Sequence, residues 1–126
     1  MRLVYNIKKL GIKQILTIAS DIPEHTQPDF TYLHIKIEDS NNENITKYFI
    51  ETYHFINSAP TLVHCKAGIS RSSTIVISYL MRNQKIHFRK AYDIVKKARC
   101  IIEPNLNFTK QLQKYERVLK VMKIVQ

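Results

Sequence analysis

The sequence predicts an α/β fold in which helices flank a largely parallel, twisted β-sheet. Three observations predict it. Strand-like runs occur at ILTIA (15–19) and TLVH (61–64), YLHIKI (32–37) alternates apolar and polar residues, and helical periodicities fall between and after these stretches. Strands alternating with helices belong to layer folds in which helices cover a sheet. A length of 126 residues makes one domain, and an apolar fraction of 44% fills one core.

Leu3, Ile7 and Leu10 recur at helical spacing, and Gly11 follows as a C-terminal stop. ILTIA is continuously apolar, as in a strand covered on both faces. Beyond Pro23 and Pro28, Leu33, Ile35 and Ile37 alternate with Tyr32, His34 and Lys36, the period of a strand with one buried face. EDSNNEN (38–44) reads as a loop, and Ile45, Phe49, Tyr53 and Ile56 mark a helix with one apolar side. Pro60 leads into TLVH, the third strand. STIVISYLM is apolar nearly all round, which predicts a central, buried helix. Phe88, Ala91, Tyr92, Val95 and Ala98 mark the next helix, which Pro104 separates from the last. That final helix carries Phe108, Leu112, Tyr115, Leu119 and Met122 on one face and Lys110, Lys114, Arg117 and Lys123 on the other. No repeat, low-complexity run or linker interrupts residues 1–126, which read as a single domain.

Composition excludes several classes. Two cysteines, Cys65 and Cys100, are too few for a disulfide framework and indicate a reducing compartment. The densest apolar stretch is about half of the roughly 18 residues that a membrane span needs. The lysines of MRLVYNIKKLGIKQ break the apolar run of a signal peptide, and Arg2 replaces the glycine that myristoylation requires. The expected location is the cytosol, with the nucleus open. Twenty Lys and Arg against ten Asp and Glu give a net charge of +10 and a pI near 9.7. Such a balance favours anionic partners, whether phosphorylated proteins, acidic lipids or nucleic acid, and it equally suits a solvated basic face.

Residues 64–72, HCKAGISRS, stand where a strand ends and the buried helix begins. In α/β sheets ligands bind at such carboxyl ends. A cysteine is a good nucleophile only as thiolate, and a helix N-terminus with a nearby guanidinium lowers its pKa. The same backbone N–H groups would cradle a tetrahedral dianion. Gly68 allows a tight turn or positive φ, and Arg71 offers a fork for two phosphate oxygens. Taken singly, a strand-end cysteine is usually a buried structural residue, and Cys100, which lacks such neighbours, keeps that reading. Cys65, Gly68 and Arg71 in this order describe a phosphate pocket with a nucleophile at its floor.

His64-Cys65, five residues, then Arg71-Ser72 is the signature of the protein tyrosine phosphatase superfamily. The longer string VHCKAGISRSSTIVISYLM resembles the dual-specificity protein phosphatases, as do AYDIVKKARCIIEPNLNFTKQL downstream and GIKQILTIA and FTYLHIKIEDS upstream. The resemblance covers nearly the whole chain and implies a phosphatase-like sheet of about four to five strands. It implies that Cys65 attacks phosphorus to form a phosphocysteine. Arg71 and the loop Lys66, Ala67, Gly68, Ile69 and Ser70 would hold the equatorial oxygens, Ser72 would assist the departing thiol, and His64 would orient the loop and favour the thiolate. The general acid falls on Asp39. Glu38 is its neighbour and rival, and an alternating backbone lets only one of the two face the pocket. Asn105 buttresses the site on this reading, although it also reads as a plain turn residue or helix cap. No metal and no organic cofactor are implied.

Departures from the family pattern carry further expectations. The chain begins close to its first helix, without the preceding segment in which these phosphatases usually carry a strand reading LYLG. A missing edge strand would expose a sheet edge and favour a homodimer. NSAPT before VHC is a shorter connection than usual. No KNRY-like phosphotyrosine loop is present, so a shallow pocket would admit phosphoserine and phosphothreonine as well as phosphotyrosine. The implied partners are phosphorylated proteins, with the basic last helix as a docking surface for an acidic partner. Rival readings are a phosphoinositide phosphatase, an RNA 5′-triphosphatase and a non-catalytic phosphate-binding module. The loop reads SRS rather than the NRT usual in RNA 5′-triphosphatases, and Cys65, Arg71 and Asp39 are all retained. Nucleic acid is the least favoured partner.

Overall fold

The structure, a computed structural model, describes residues 10–126. The helix expected around Leu3 and Ile7 lies outside the described residues. Gly11, its expected stop, has a φ of +83°, a conformation in which a side chain would be strained.

A parallel sheet is formed by β1 (Gln14–Ile18), β2 (Thr31–Ile35) and β3 (Thr61–His64), in the order β2–β1–β3. Every residue of β1 is buried because it is the middle strand, which accounts for its mostly apolar sequence, and the buried Gln14 and Thr17 side chains are hydrogen-bonded. Pairing continues past its end, where the Ala19 and Ser20 amides donate to the Ile35 and Ile37 carbonyls, both at 2.9 Å. Around β2, Ile35 and Ile37 are buried while Lys36 is exposed, as the alternation requires. The sheet has three strands among the described residues, not four to five. The larger count came with the resemblance, whereas only three segments between residues 10 and 126 carry strand patterning.

Among the described residues four helices complete the fold: α1 (Phe49–Ser58), entered through a 3₁₀ turn at Thr46–Tyr48, then α2 (Arg71–Asn83), α3 (Phe88–Ala98) and α4 (Leu106–Val121). Most apolar positions read from the sequence point inward, with Phe108, Leu112, Tyr115 and Leu119 of α4 buried at three- and four-residue spacing; Ala98 and Met122, at the ends of their helices, are exposed instead. They join Leu16 and Ile18 of the sheet, Phe49 of α1 and Ile75, Ile77 and Met81 of α2 in one core. The Phe49 and Tyr115 rings pack 4.8 Å apart. Helix α2 is buried despite four serines and threonines in its first eight residues. Ser73, Thr74 and Ser78 turn their hydroxyls onto the Ile69, Ser70 and Ile75 carbonyls at 2.7 Å each, so no hydroxyl among these three is left unpaired.

Phe108 has no exposed surface and lies on the helix that backs the site. Phe108→Ala is expected to destabilise the fold by about 3–5 kcal/mol through lost transfer energy and the cavity left behind. Urea unfolding followed by circular dichroism would measure it, and a loss below about 1 kcal/mol would contradict the packing described. Because all three strands are parallel, their carboxyl ends lie at one edge of the sheet. The loops leaving that edge bring the chemistry-bearing residues together.

Candidate active site

Each strand contributes one piece at that edge. Asp21 follows β1, the Ile37 carbonyl and Asp39 follow β2, and Cys65 follows β3 directly. Residues 65–70 form the loop into α2. Its Gly68 sits at φ +68°, and an added Cβ would stand 2.8 Å from the Arg99 guanidinium. Arg99 lies against this turn and donates to the Gly68 carbonyl at 3.3 Å. Ser70 is the N-cap of α2 yet makes no side-chain cap bond. The first N–H groups of α2 therefore have no side-chain acceptor at the cap, and the helix dipole favours an anion there.

Cys65 is 7% exposed, and its Sγ lies 3.2 Å from the Ser72 hydroxyl. Burial pushes the thiol up. Hydrogen bonds from the Ser72 hydroxyl and from the Ser72 and Gly68 backbone, with the Arg71 charge, outweigh burial and hold the thiol below its ordinary range. Arg71 is 6% exposed. Its Nη1 donates to Asp21 Oδ1 at 2.9 Å and to the Ile37 carbonyl at 3.0 Å, while Nη2 leans on Asp21 Oδ2 at 3.4 Å. Its Nε is buried without a partner among the described residues. The arrangement sets a thiol of lowered pKa and a guanidinium with an unpaired donor at the start of one helix, which suits a tetrahedral dianion.

Asp39 is exposed, and its Oδ1 accepts from Asn105 Nδ2 at 2.7 Å. Asn105 makes bonds in two directions. Its Oδ1 caps α4 by accepting the Phe108 amide at 2.8 Å, and its own amide donates to Ser70 Oγ at 2.9 Å. The Asp39 carboxylate is thus linked to the phosphate-type loop through one asparagine. Glu38, its rival, is exposed, and its backbone amide donates within its own loop to Glu43 Oε1 at 3.1 Å.

His64 is half-buried at the end of β3 and borders the cavity beside the loop. Its Nε2 bonds the Thr17 hydroxyl at 2.8 Å, as expected for residues opposed in the β1–β3 register. Burial, then the neighbouring His34, lowers its pKa against a hydrogen bond to the Cys65 backbone, so the neutral ring is favoured. Lys66, Ala67 and Ile69 of the loop are exposed, and Ser70 is buried. A cavity of about 450 Å³ adjoins the loop, walled by Cys65, Lys66, Gly68, Ser72 and Arg99 among others; Arg71 and Asp39 do not line it.

Sequence reasoning missed four contributors. Asp21 and Arg99 carry no local motif. Asn107 donates to the Ser40 and Glu43 carbonyls, and Gln111 binds the Glu43 carbonyl and accepts from the Ile45 and Thr46 amides, so both hold the loop that presents Asp39. The signal for these two was their place with Asn105 on the first turns of the last helix.

Comparison with known proteins places this geometry. The family model for the dual specificity phosphatase catalytic domain matches residues 3–118. Dual specificity protein phosphatase 4 of Gallus gallus is 40% identical over 112 residues, covering 85% of this chain and 30% of the relative. Protein phosphatase Slingshot of Drosophila melanogaster is 36% identical over 122 residues, covering 93% of this chain and 12% of the relative. The chain therefore spans less than a third of the length of these curated relatives. Among solved structures, human DUSP28 superposes with a TM-score of 0.87 at 29% identity, covering 92% of this chain and 82% of that one. The human tyrosine phosphatase-like serine/threonine/tyrosine-interacting protein gives 0.86 at 35% identity, covering 93% and 84%.

Proposed function

The chain belongs to the dual-specificity phosphatase catalytic-domain family, and we propose that it removes phosphate from phosphotyrosine, phosphoserine and phosphothreonine in proteins through a phosphocysteine intermediate. What carries the reading is the Cys65 thiol, held below its ordinary range at the start of α2 and hydrogen-bonded to Ser72. The Cys65 thiolate attacks phosphorus in line with the leaving oxygen, forming the S–P bond as the P–O bond breaks. Arg71 and the loop amides hold the equatorial oxygens as charge develops. Asp39, protonated, gives its proton to the leaving alkoxide or phenoxide. The resulting carboxylate takes a proton from water, which attacks the phosphocysteine and releases phosphate. Ser72 hydrogen-bonds the departing sulfur and restores the thiolate. Asn105 positions Asp39, and His64 braces the loop against β1 through Thr17.

The same reading carries the remaining expectations. With no KNRY-like loop to deepen the pocket, all three phosphorylated residues reach Cys65. Exposed Lys110, Lys114, Arg117 and Lys123 on and after α4 supply a docking face for an acidic partner. The location is the cytosol or nucleus; among the described residues no helix is long and apolar enough to cross a membrane.

Release of phosphate from phosphotyrosine and phosphothreonine peptides in EDTA tests the substrate class. Wild-type protein should act on both and Cys65→Ser on neither. Faster release from a phosphoinositide or an RNA 5′-triphosphate would overturn the class, and oxyanion binding without turnover would make the domain a binding module.

The general acid is tested by leaving group. Asp39→Asn should slow a phosphoserine peptide about 10²–10³-fold and an aryl phosphate with a good leaving group less than about 10-fold. Equal slowing of both would move the acid elsewhere, and Glu38→Gln would be measured next.

A further inference from the structure

We infer that Asp21 is a positioning residue that aims the free edge of the Arg71 guanidinium at the bound phosphoryl group; the inference rests on the phosphocysteine reading above. A guanidinium has five N–H donors in one plane. Both hydrogens of Nη1 are used, one on Asp21 Oδ1 at 2.9 Å and one on the Ile37 carbonyl at 3.0 Å. One hydrogen of Nη2 turns to Asp21 Oδ2 at 3.4 Å. The donors left over are Nε–H and the second Nη2 hydrogen. They share one edge, and Nε is a buried donor with no partner among the described residues. A buried guanidinium saturated on one side and open on the other is a fork already set for two oxygens.

The holder is itself fixed. The Ile37 carbonyl accepts the Ser20 amide at 2.9 Å as well as Arg71 Nη1, so one oxygen joins the ends of β1 and β2 to the arginine. Asp21 is the next residue along. The Arg71 pairing, its largest influence, also keeps its carboxyl below the usual carboxylate range, so the holding charge is present at neutral pH. Without it, Arg71 would regain much of its side-chain rotamer freedom, and the fork would be assembled anew with each phosphate.

Two physical effects oppose each other here. The Asp21 carboxylate subtracts from the positive charge that phosphate meets, so on charge alone its removal would tighten oxyanion binding. Positioning predicts the reverse, and the sign decides.

The experiment is tungstate binding by calorimetry to the Cys65→Ser protein, paired with p-nitrophenyl phosphate kinetics in the Cys65 protein. Asp21→Ala should weaken tungstate about 10-fold or more and lower kcat/KM about 10–100-fold. Asp21→Glu should recover part of both, and Asp21→Asn should fall between. In an Arg71→Ala background, Asp21→Ala should change neither quantity, because Asp21 acts through the arginine. The Asp21 side chain is 44% exposed, so its truncation opens no core cavity, and circular dichroism checks the fold. Tighter or unchanged tungstate binding by Asp21→Ala, or an equal loss with and without Arg71, would overturn the inference. Absence of Cys65-dependent turnover in the wild type would instead remove the phosphatase reading, while the tungstate series would still decide what Asp21 does.

Discussion

Cys65→Ser is expected to abolish turnover of p-nitrophenyl phosphate, a fall of about 10⁴-fold or more. The loss comes from the ionisation state of the nucleophile. At neutral pH an ordinary thiol supplies only a few per cent of thiolate. Here the Ser72 hydroxyl, two backbone groups and the Arg71 charge overcome the burial that would keep the thiol protonated. A serine hydroxyl at the same place stays neutral, because the same set of groups cannot bring an alcohol near pH 7. The contacts that hold the loop survive the exchange: Gly68 to Arg99, Ser70 to Asn105, and the Ser73 and Thr74 hydroxyls to the loop carbonyls. Cys65→Ser should therefore still bind tungstate. Loss of both turnover and tungstate binding in a folded variant would mean that Cys65 shapes the pocket rather than attacks. Alkylation gives a second view of the same claim. Iodoacetamide should modify Cys65 with a pH midpoint below the ordinary thiol range, the reactive thiolate persisting as pH falls toward neutral.

Arg71→Lys should reduce kcat/KM about 10²–10³-fold although the charge is retained. Lysine offers a point charge on a flexible stem. It cannot donate to Asp21 and Ile37 with one nitrogen while presenting two more donors to phosphate. The substitution would also leave the Asp21 carboxylate without its bidentate partner. The expected signature is a fall in kcat greater than the rise in KM, since the grip matters most as charge spreads over the equatorial oxygens. A change below about 5-fold would show that charge alone suffices and that the fork geometry is unimportant.

What could be read in advance followed the distance along the chain. Cys65, Gly68, Arg71 and Ser72 lie within eight consecutive residues, so their joint chemistry is visible as a string. The strands ILTIA, YLHIKI and TLVH were legible because burial on one or two faces leaves a period in the apolar residues. Their ends differ by a residue or two from β1 and β2, since the bonds from Ala19 and Ser20 continue the pairing beyond the regular strand. The partners of Arg71 were not legible. Asp21 lies 50 residues away and the Ile37 carbonyl 34, and a backbone oxygen has no residue type to betray it. Asn105 offered two readings in sequence because a cap and a buttress ask for the same side chain. The fold uses its oxygen for one and its nitrogen for the other. His64 shows the opposite case. Its place beside Cys65 suggested influence on the thiolate, while the register of β1 and β3 directs its ring to Thr17.

A covalent phosphocysteine can be trapped and observed directly. Wild-type protein mixed with excess p-nitrophenyl phosphate, quenched in acid during turnover and digested, can be searched by mass spectrometry for a phosphorylated peptide. A phosphoryl group on Cys65, absent from the Cys65→Ser protein and lost on return to neutral buffer, is the predicted result. Sustained turnover with phosphate on another side chain, or undiminished turnover by Cys65→Ser, would contradict the account.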